Sequence, residues 1–202
     1  MAFVLTVDQR GSRRTGDRVE AVLEGLAGVE TVLPFERTAG DEFQGVVDDP
    51  AIVVDVALDL VRAGGWSIGI GAGAVGTPLP RSTRAANGPA FLLARRAVDA
   101  AKQRAPARLA VRGAAPSEAG DAQAVLTSLA VLVDRRSAQA WEAITLVQGG
   151  CTQAQAAAAL GISRQAVGQR LGAGLWDLER ELRPTAARLL TRAAGEPGEG
   201  RG

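Results

Sequence analysis

Cys151–Leu171 reads CTQAQAAAALGISRQAVGQRL and parses as two short helices around a tight turn. Thr152 is a good N-cap, and Gln155 three residues later completes a capping box. Ala156, Ala157 and Leu160 give the first helix a small apolar inner side. Gly161 supplies a turn position where positive φ is wanted. Ser163 caps the second helix, and Ile162, Val167 and Leu171 are spaced to pack it on the first. Gln153, Arg164, Gln165, Gly168, Gln169 and Arg170 remain on the outside. Arg and Gln can make bidentate contacts with guanine and adenine in the major groove. The pattern is that of a helix-turn-helix, with Gln153, Ser163, Arg164, Gln165, Gln169 and Arg170 as expected contacts to double-stranded DNA.

The surroundings of this segment fit that role. No Asp or Glu occurs from Ala143 to Trp176, which suits a surface facing a polyanion. The bland alternative is a neutral, alanine-rich helix pair. Trp141 and Trp176 flank the unit and are expected to anchor its core rather than stack on bases. Further helices are expected at Ala122–Val133, Ser137–Gln148 and Leu175–Arg192. The polar, Pro-containing run Gly113–Gly120 reads as a linker, and Gly195–Gly202 as a disordered tail. These features divide the chain into a first domain at 1–112, a linker at 113–121, a helical domain at 122–194 and a tail at 195–202.

Composition narrows the chemistry. The chain has 202 residues, 47% hydrophobic and 22% charged, with a formal net charge of +1, so no global basic field announces nucleic acid. Cys151 is the only cysteine, which excludes an intrachain disulfide and fits a reducing cytoplasm. The absence of histidine removes His-ligated metals and imidazole acid–base chemistry. Any catalysis must therefore run on carboxylates, arginine and metal ions. No signal peptide is expected, since Met1 leads directly into a strand-like run. The uncharged stretch Ala63–Pro80 is too rich in Gly and Pro to span a membrane.

The first 112 residues read as an α+β domain. Phe3–Asp8 is a buried strand, Gly16–Leu26 a short helix, and Thr31–Ala39 with Phe43–Val47 a hairpin around Gly40-Asp41-Glu42. Asp49 and Pro50 open a helix that continues to Val61, Trp66–Val75 is a strand, and Gly88-Pro89 opens a second long helix. Leu109–Val111 is a candidate last strand. Two helices on one face of a mainly antiparallel sheet suggest a ferredoxin-like palm. In such a sheet Asp8 and Asp41 are expected to converge near the loop Gly11-Ser12, an arrangement suited to Mg²⁺ carrying nucleotide phosphates. Arg37 and Arg96 could add guanidinium contacts. An Asp at a strand end and an Asp in a turn are also common without any ligand.

Several segments resemble known families. Arg37-Thr38-Ala39-Gly40-Asp41 resembles the K-x-x-G-D hairpin of class III nucleotidyl cyclases, and AGDEF at 39–43 resembles the GGDEF signature of diguanylate cyclases. LTVDQRGS at 5–12 is similar to the cyclase first strand, and IGIGAGAV at 68–75 with GPAFLLARR at 88–96 to a later cyclase pattern. In order and spacing the chain best resembles the SatD family, which joins a cyclase-like palm to a C-terminal helix-turn-helix. The latter is similar to the sigma-factor region 4 type. The resemblance implies metal and nucleotide binding at Asp8 and Asp41, with Gly11 and Ser12 beside the phosphates. Arg37 stands at the base-selecting position and Arg96 at the transition-state arginine. Leu92 replaces the catalytic asparagine and Ala39 the first glycine of GGDEF. These losses imply a palm without turnover that either senses a nucleotide or cyclic nucleotide or only dimerises, in a dimeric DNA-binding regulator; a metal-dependent cyclase or nucleotide hydrolase is the alternative.

Overall fold

The computed structural model of the chain describes residues 1–195, so the expected tail lies outside the described residues apart from Gly195. The architecture is α+β, built on a five-stranded mixed sheet. Its strands are β1 (Ala2–Gln9), β2 (Leu33–Ala39), β3 (Glu42–Val47), β4 (Trp66–Gly73) and β5 (Leu109–Gly113), in spatial order β2-β3-β1-β4-β5. β1 lies antiparallel between β3 and β4, β2 pairs antiparallel with β3, and β5 runs parallel to β4. Both faces are covered, so β1 and β4 are buried along almost their whole length rather than at alternate residues.

On one face Phe3, Leu5, Val7, Phe43, Ile68 and Ile70 form the main core with α2 (Val19–Leu26) and α3 (Pro50–Ala63). Asp49 caps α3, its carboxylate accepting the Ala51 N–H at 2.7 Å, and Pro50 sits at the first helical position. The short helix α1 (Ser12–Thr15) occupies the loop between β1 and α2. On the opposite face, α4 (Pro89–Lys102) packs with Ala90 and Ala94 against Ala2, Val4 and Val46. A Cβ placed on Gly69 would stand 2.2 Å from the Val98 nitrogen, and one on Gly71 would stand 2.1 Å from the Ala90 carbonyl oxygen. The small residues of β4 therefore let two backbones touch.

Five helices follow the sheet: α5 (Pro116–Asp134), α6 (Ala138–Gln148), α7 (Gln153–Leu160), α8 (Arg164–Ala173) and α9 (Trp176–Ala193). Here two expectations are corrected. The segment expected as a linker at 113–121 is strand end and helix start, bridged by Ala114 and Ala115 alone. The Ala114 N–H donates to the Ala72 carbonyl at 3.0 Å and the Ala115 N–H to that of Ala193 at 3.1 Å, so this backbone stays tied to the fold. Nor do residues 122–194 stand apart as a whole, since α5 and α9 join the core of the sheet. Leu126, Leu129 and Val133 of α5, with Ala186 and Leu190 of α9, share the main core with Ile68 and Val111. Helical periodicity shows that a face is buried, and it is silent on what covers that face.

Only α6, α7 and α8 make a separate apolar cluster, from Ala140, Ala143, Ile144, Ala156, Ala157, Val167 and Leu171, closed by Trp176 at the start of α9. Trp141 is half-buried and packs against both this cluster and the main core. Beside it Arg136 and Glu179 form an ion pair with both side chains almost fully buried, and Glu179 also receives Arg183. Arg183 in turn reaches Asp55 of α3. Among the described residues, no helix is long and apolar enough to cross a membrane.

Candidate functional site

The turn between α7 and α8 has the features its residues require. The Gln155 N–H donates to Thr152 Oγ1 at 3.3 Å, and the Thr152 N–H donates to Gln155 Oε1 at 2.8 Å, completing the capping box. Gly161 adopts φ 65° and ψ 31° at the C-cap of α7. Ser163 Oγ accepts the Ala166 N–H at 3.1 Å, which orients the start of α8. Val167 is fully buried and Leu171 nearly so, which points the opposite side of α8 outward. Gln153, Ser163, Arg164, Gln165 and Gln169 are exposed together on this side. An added Cβ at Gly168 would meet only Gln153 Oε1, at 3.9 Å, and at Gly172 nothing within 4 Å. Arg170 is ion-paired with Glu142 of α6 at 2.9 Å, which ties α8 to α6.

At the carboxyl end of β1 the geometry splits the expected nucleotide site. Asp8 projects from the face covered by α4 and binds Lys102 Nζ at 2.8 Å. That hydrogen bond raises the Lys102 pKa above its ordinary value, outweighing the opposing effect of burial. Asp41 instead accepts a hydrogen bond from Ser12 Oγ at 2.7 Å, while its backbone carbonyl accepts the Gln9 N–H. The two aspartates line different hollows. The Asp8 carboxylate is engaged by the Lys102 ammonium and the Asp41 carboxylate by the Ser12 hydroxyl. Among the described residues no group of three or more His, Cys, Asp or Glu side chains gathers to hold a metal ion.

Arg37 lies on the other face of the sheet, paired with Asp17 at 2.8 Å and donating to the Gly40 carbonyl at 2.8 Å. The Val19 N–H and then Arg37 hold the Asp17 carboxyl below the usual range. Arg96 is exposed on the outer side of α4; it is Arg95 that reaches the sheet, gripping the buried Glu42 with both guanidinium ends. Leu92 is likewise turned outward, 66% exposed. Thus Asp8 and Gly11 meet in one hollow, Ser12 and Asp41 in another, and Arg37 and Arg96 belong to neither lining.

The hollow around Asp8 has a chemistry that motif reading did not find. It is a cleft of about 680 Å³ lined by Arg10, Arg14, Lys102 and Arg108, with Asp8 its only carboxylate. Ser67 lies opposite Asp8 on the neighbouring strand, fully buried, and its hydroxyl has no hydrogen-bond partner among the described residues. The Arg10 N–H donates to the Gly65 carbonyl at 2.8 Å, and Arg108 Nη1 donates to the Lys102 carbonyl at 2.6 Å. Arg108 adopts φ 44° to stand there. Four cations against one carboxylate can take up a phosphate-sized anion, and an unpaired buried hydroxyl adds a donor. A signal was present in the sequence: Lys102 is its only lysine, and Arg108 lies six residues on. Comparison of the chain with protein-family models, with curated proteins and with solved structures gave no match.

Proposed function

We propose that the protein is a DNA-binding transcriptional regulator of the cytoplasm, acting as a homodimer, whose sheet half binds a nucleotide through its phosphates without turning it over. The observation that carries the proposal is the capped α7–Gly161–α8 unit, with Arg164, Gln165 and Gln169 exposed on two helices that themselves contain no Asp or Glu. The antiparallel order β2-β3-β1-β4, with α2 and α3 on one face, supports a ferredoxin-like palm of the cyclase kind. Phosphate charge in this palm is met by Arg10, Arg14, Lys102 and Arg108, and the nucleotide needs no metal to stay.

Selection of bound duplexes from a random pool tests the DNA half. A homodimer selects a two-fold symmetric sequence, with half-sites about one helical turn apart. Recovery of random sequence at every round, with Arg164→Ala binding as well as wild type, rejects it. Calorimetry with nucleoside triphosphates in the presence of a chelator tests the sheet half. Heat that persists without divalent cation and vanishes in Lys102→Ala supports the cleft. A metal-dependent cyclase or hydrolase acting through Asp8 and Asp41 instead requires product formation that Asp41→Ala abolishes. The pairing of Asp8 with Lys102 and the outward Leu92 speak against that alternative.

A further inference from the structure

We propose that Arg62 and Arg136 couple the cationic cleft to the DNA-reading helices by bearing jointly on Trp141; this rests on the cleft accepting an anion as proposed above. Trp141 lies in the first turn of α6, where the reader's cluster meets the main core. The Arg62 guanidinium carbon is 4.0 Å from its ring centroid and that of Arg136 is 4.8 Å away. Arg62 also donates to Thr145 Oγ1, one turn further along α6, at 3.2 Å.

Each arginine is rooted two residues from the cleft's surroundings. Arg62 is the penultimate residue of α3, and Gly64 and Gly65, just past the helix, lead into β4. Gly65 lines the cleft and its carbonyl holds the Arg10 N–H, while Arg18 grips the carbonyls of Ala63 and Gly64, both at 3.1 Å. Arg136 follows α5, whose last residue, Asp134, lines a narrow hollow of about 40 Å³. That hollow shares Arg10, Gly65 and Arg108 with the cleft. On its other side Arg136 Nε donates to the carbonyl of Gly174 at 2.7 Å, at the C-terminal end of α8, and pairs with Glu179 of α9. An anion that draws Arg10 and Arg108 inward pulls on the roots of both arginines at once. The displacement reaches α6 through Trp141 and α8 through Gly174. Such coupling requires that the ligand bind one arrangement of the seam better than the other.

The test uses the full-length chain with pyrophosphate as probe. Calorimetry measures binding, and Lys102→Ala marks the heat that belongs to the cleft. Tryptophan emission of wild type minus that of Trp141→Phe isolates the signal of Trp141, one of three tryptophans. Saturating pyrophosphate is expected to change that difference and to shift affinity for the selected duplex about fivefold or more. Arg62→Ala is expected to bind pyrophosphate as before while both responses disappear, and Thr145→Val to weaken them. Pyrophosphate that binds the wild type but moves neither emission nor DNA affinity overturns the coupling and leaves the cleft standing. Full responses in Arg62→Ala do the same. Absence of Lys102-dependent heat overturns the cleft and the coupling together.

Discussion

Glycine does opposite work in the two halves of this protein. In β4, Gly69 and Gly71 are places where two backbones meet, since a Cβ there would fall within 2.2 Å of α4 backbone atoms. In α8, a Cβ on Gly168 would touch only the tip of Gln153 and one on Gly172 would meet nothing, in the helix that also exposes Arg164, Gln165 and Gln169. The first pair completes an interior contact. The second leaves a surface low at a cost in helix stability. A glycine's use is thus legible from what a methyl group would strike.

The largest test of the contrast is Gly71→Val. Neither the strand nor α4 can retreat, and a loss of about 4 kcal/mol or more is expected, read as collapse of the cooperative unfolding transition by circular dichroism. Retention of wild-type stability would break the comparison at its firmest point. Next comes Glu179→Ala, which leaves the Arg136 guanidinium buried beside no carboxylate. A cost of about 3–5 kcal/mol in chemical denaturation is expected, felt by the sheet half and the reader alike because the pair sits on their seam. Arg164→Ala and Gln165→Ala are expected to leave stability unchanged and to lose about 1–3 kcal/mol on the selected duplex, with little loss on random DNA. Gly168→Ala runs the other way. It is expected to raise stability by about 0.5–1 kcal/mol while weakening DNA binding, separating the helix's own preference from its surface role.

The smallest effect is a pH dependence in the cleft. The Lys102 pKa is raised in the folded chain by its bond to Asp8, so the lysine contributes stability fully below its ordinary 10.5 and loses it as pH rises through the higher folded value. Urea midpoints of wild type and Lys102→Met are expected to differ by a constant amount up to that range and to converge above it. A difference that grows with alkalinity contradicts the pairing.

Local features were readable from the chain because each depends on a few neighbouring residues. The capping box at Thr152, the left-handed Gly161, the Ser163 cap, the Asp49–Pro50 start and the hairpin at Gly40 all follow from backbone rules that act within a turn. Partnerships across the fold were less legible. Asp8 and Asp41 come from adjoining strand ends, but their side chains were claimed by Lys102 and Ser12, 94 and 29 residues away respectively. Arg95 and Arg96 are neighbours on α4, and a rotation of one helical position decides which of them meets Glu42. The cleft escaped detection because its cations arrive from three separate segments and form no motif in line.

The position of α9 carries a consequence for how the molecule is made. This helix follows the reader in the chain, yet Ala186 and Leu190 bury the sheet beside α5. The α6–α8 unit is therefore an excursion held at both ends by helices of the sheet half. During synthesis, Ile70 and Val111 leave the ribosome long before the helix that covers them, and their apolar face must wait while the reader emerges. A shortened product that stops after Leu171 would carry α7 and most of α8 and still leave this face of the sheet uncovered, open to aggregation and proteolysis.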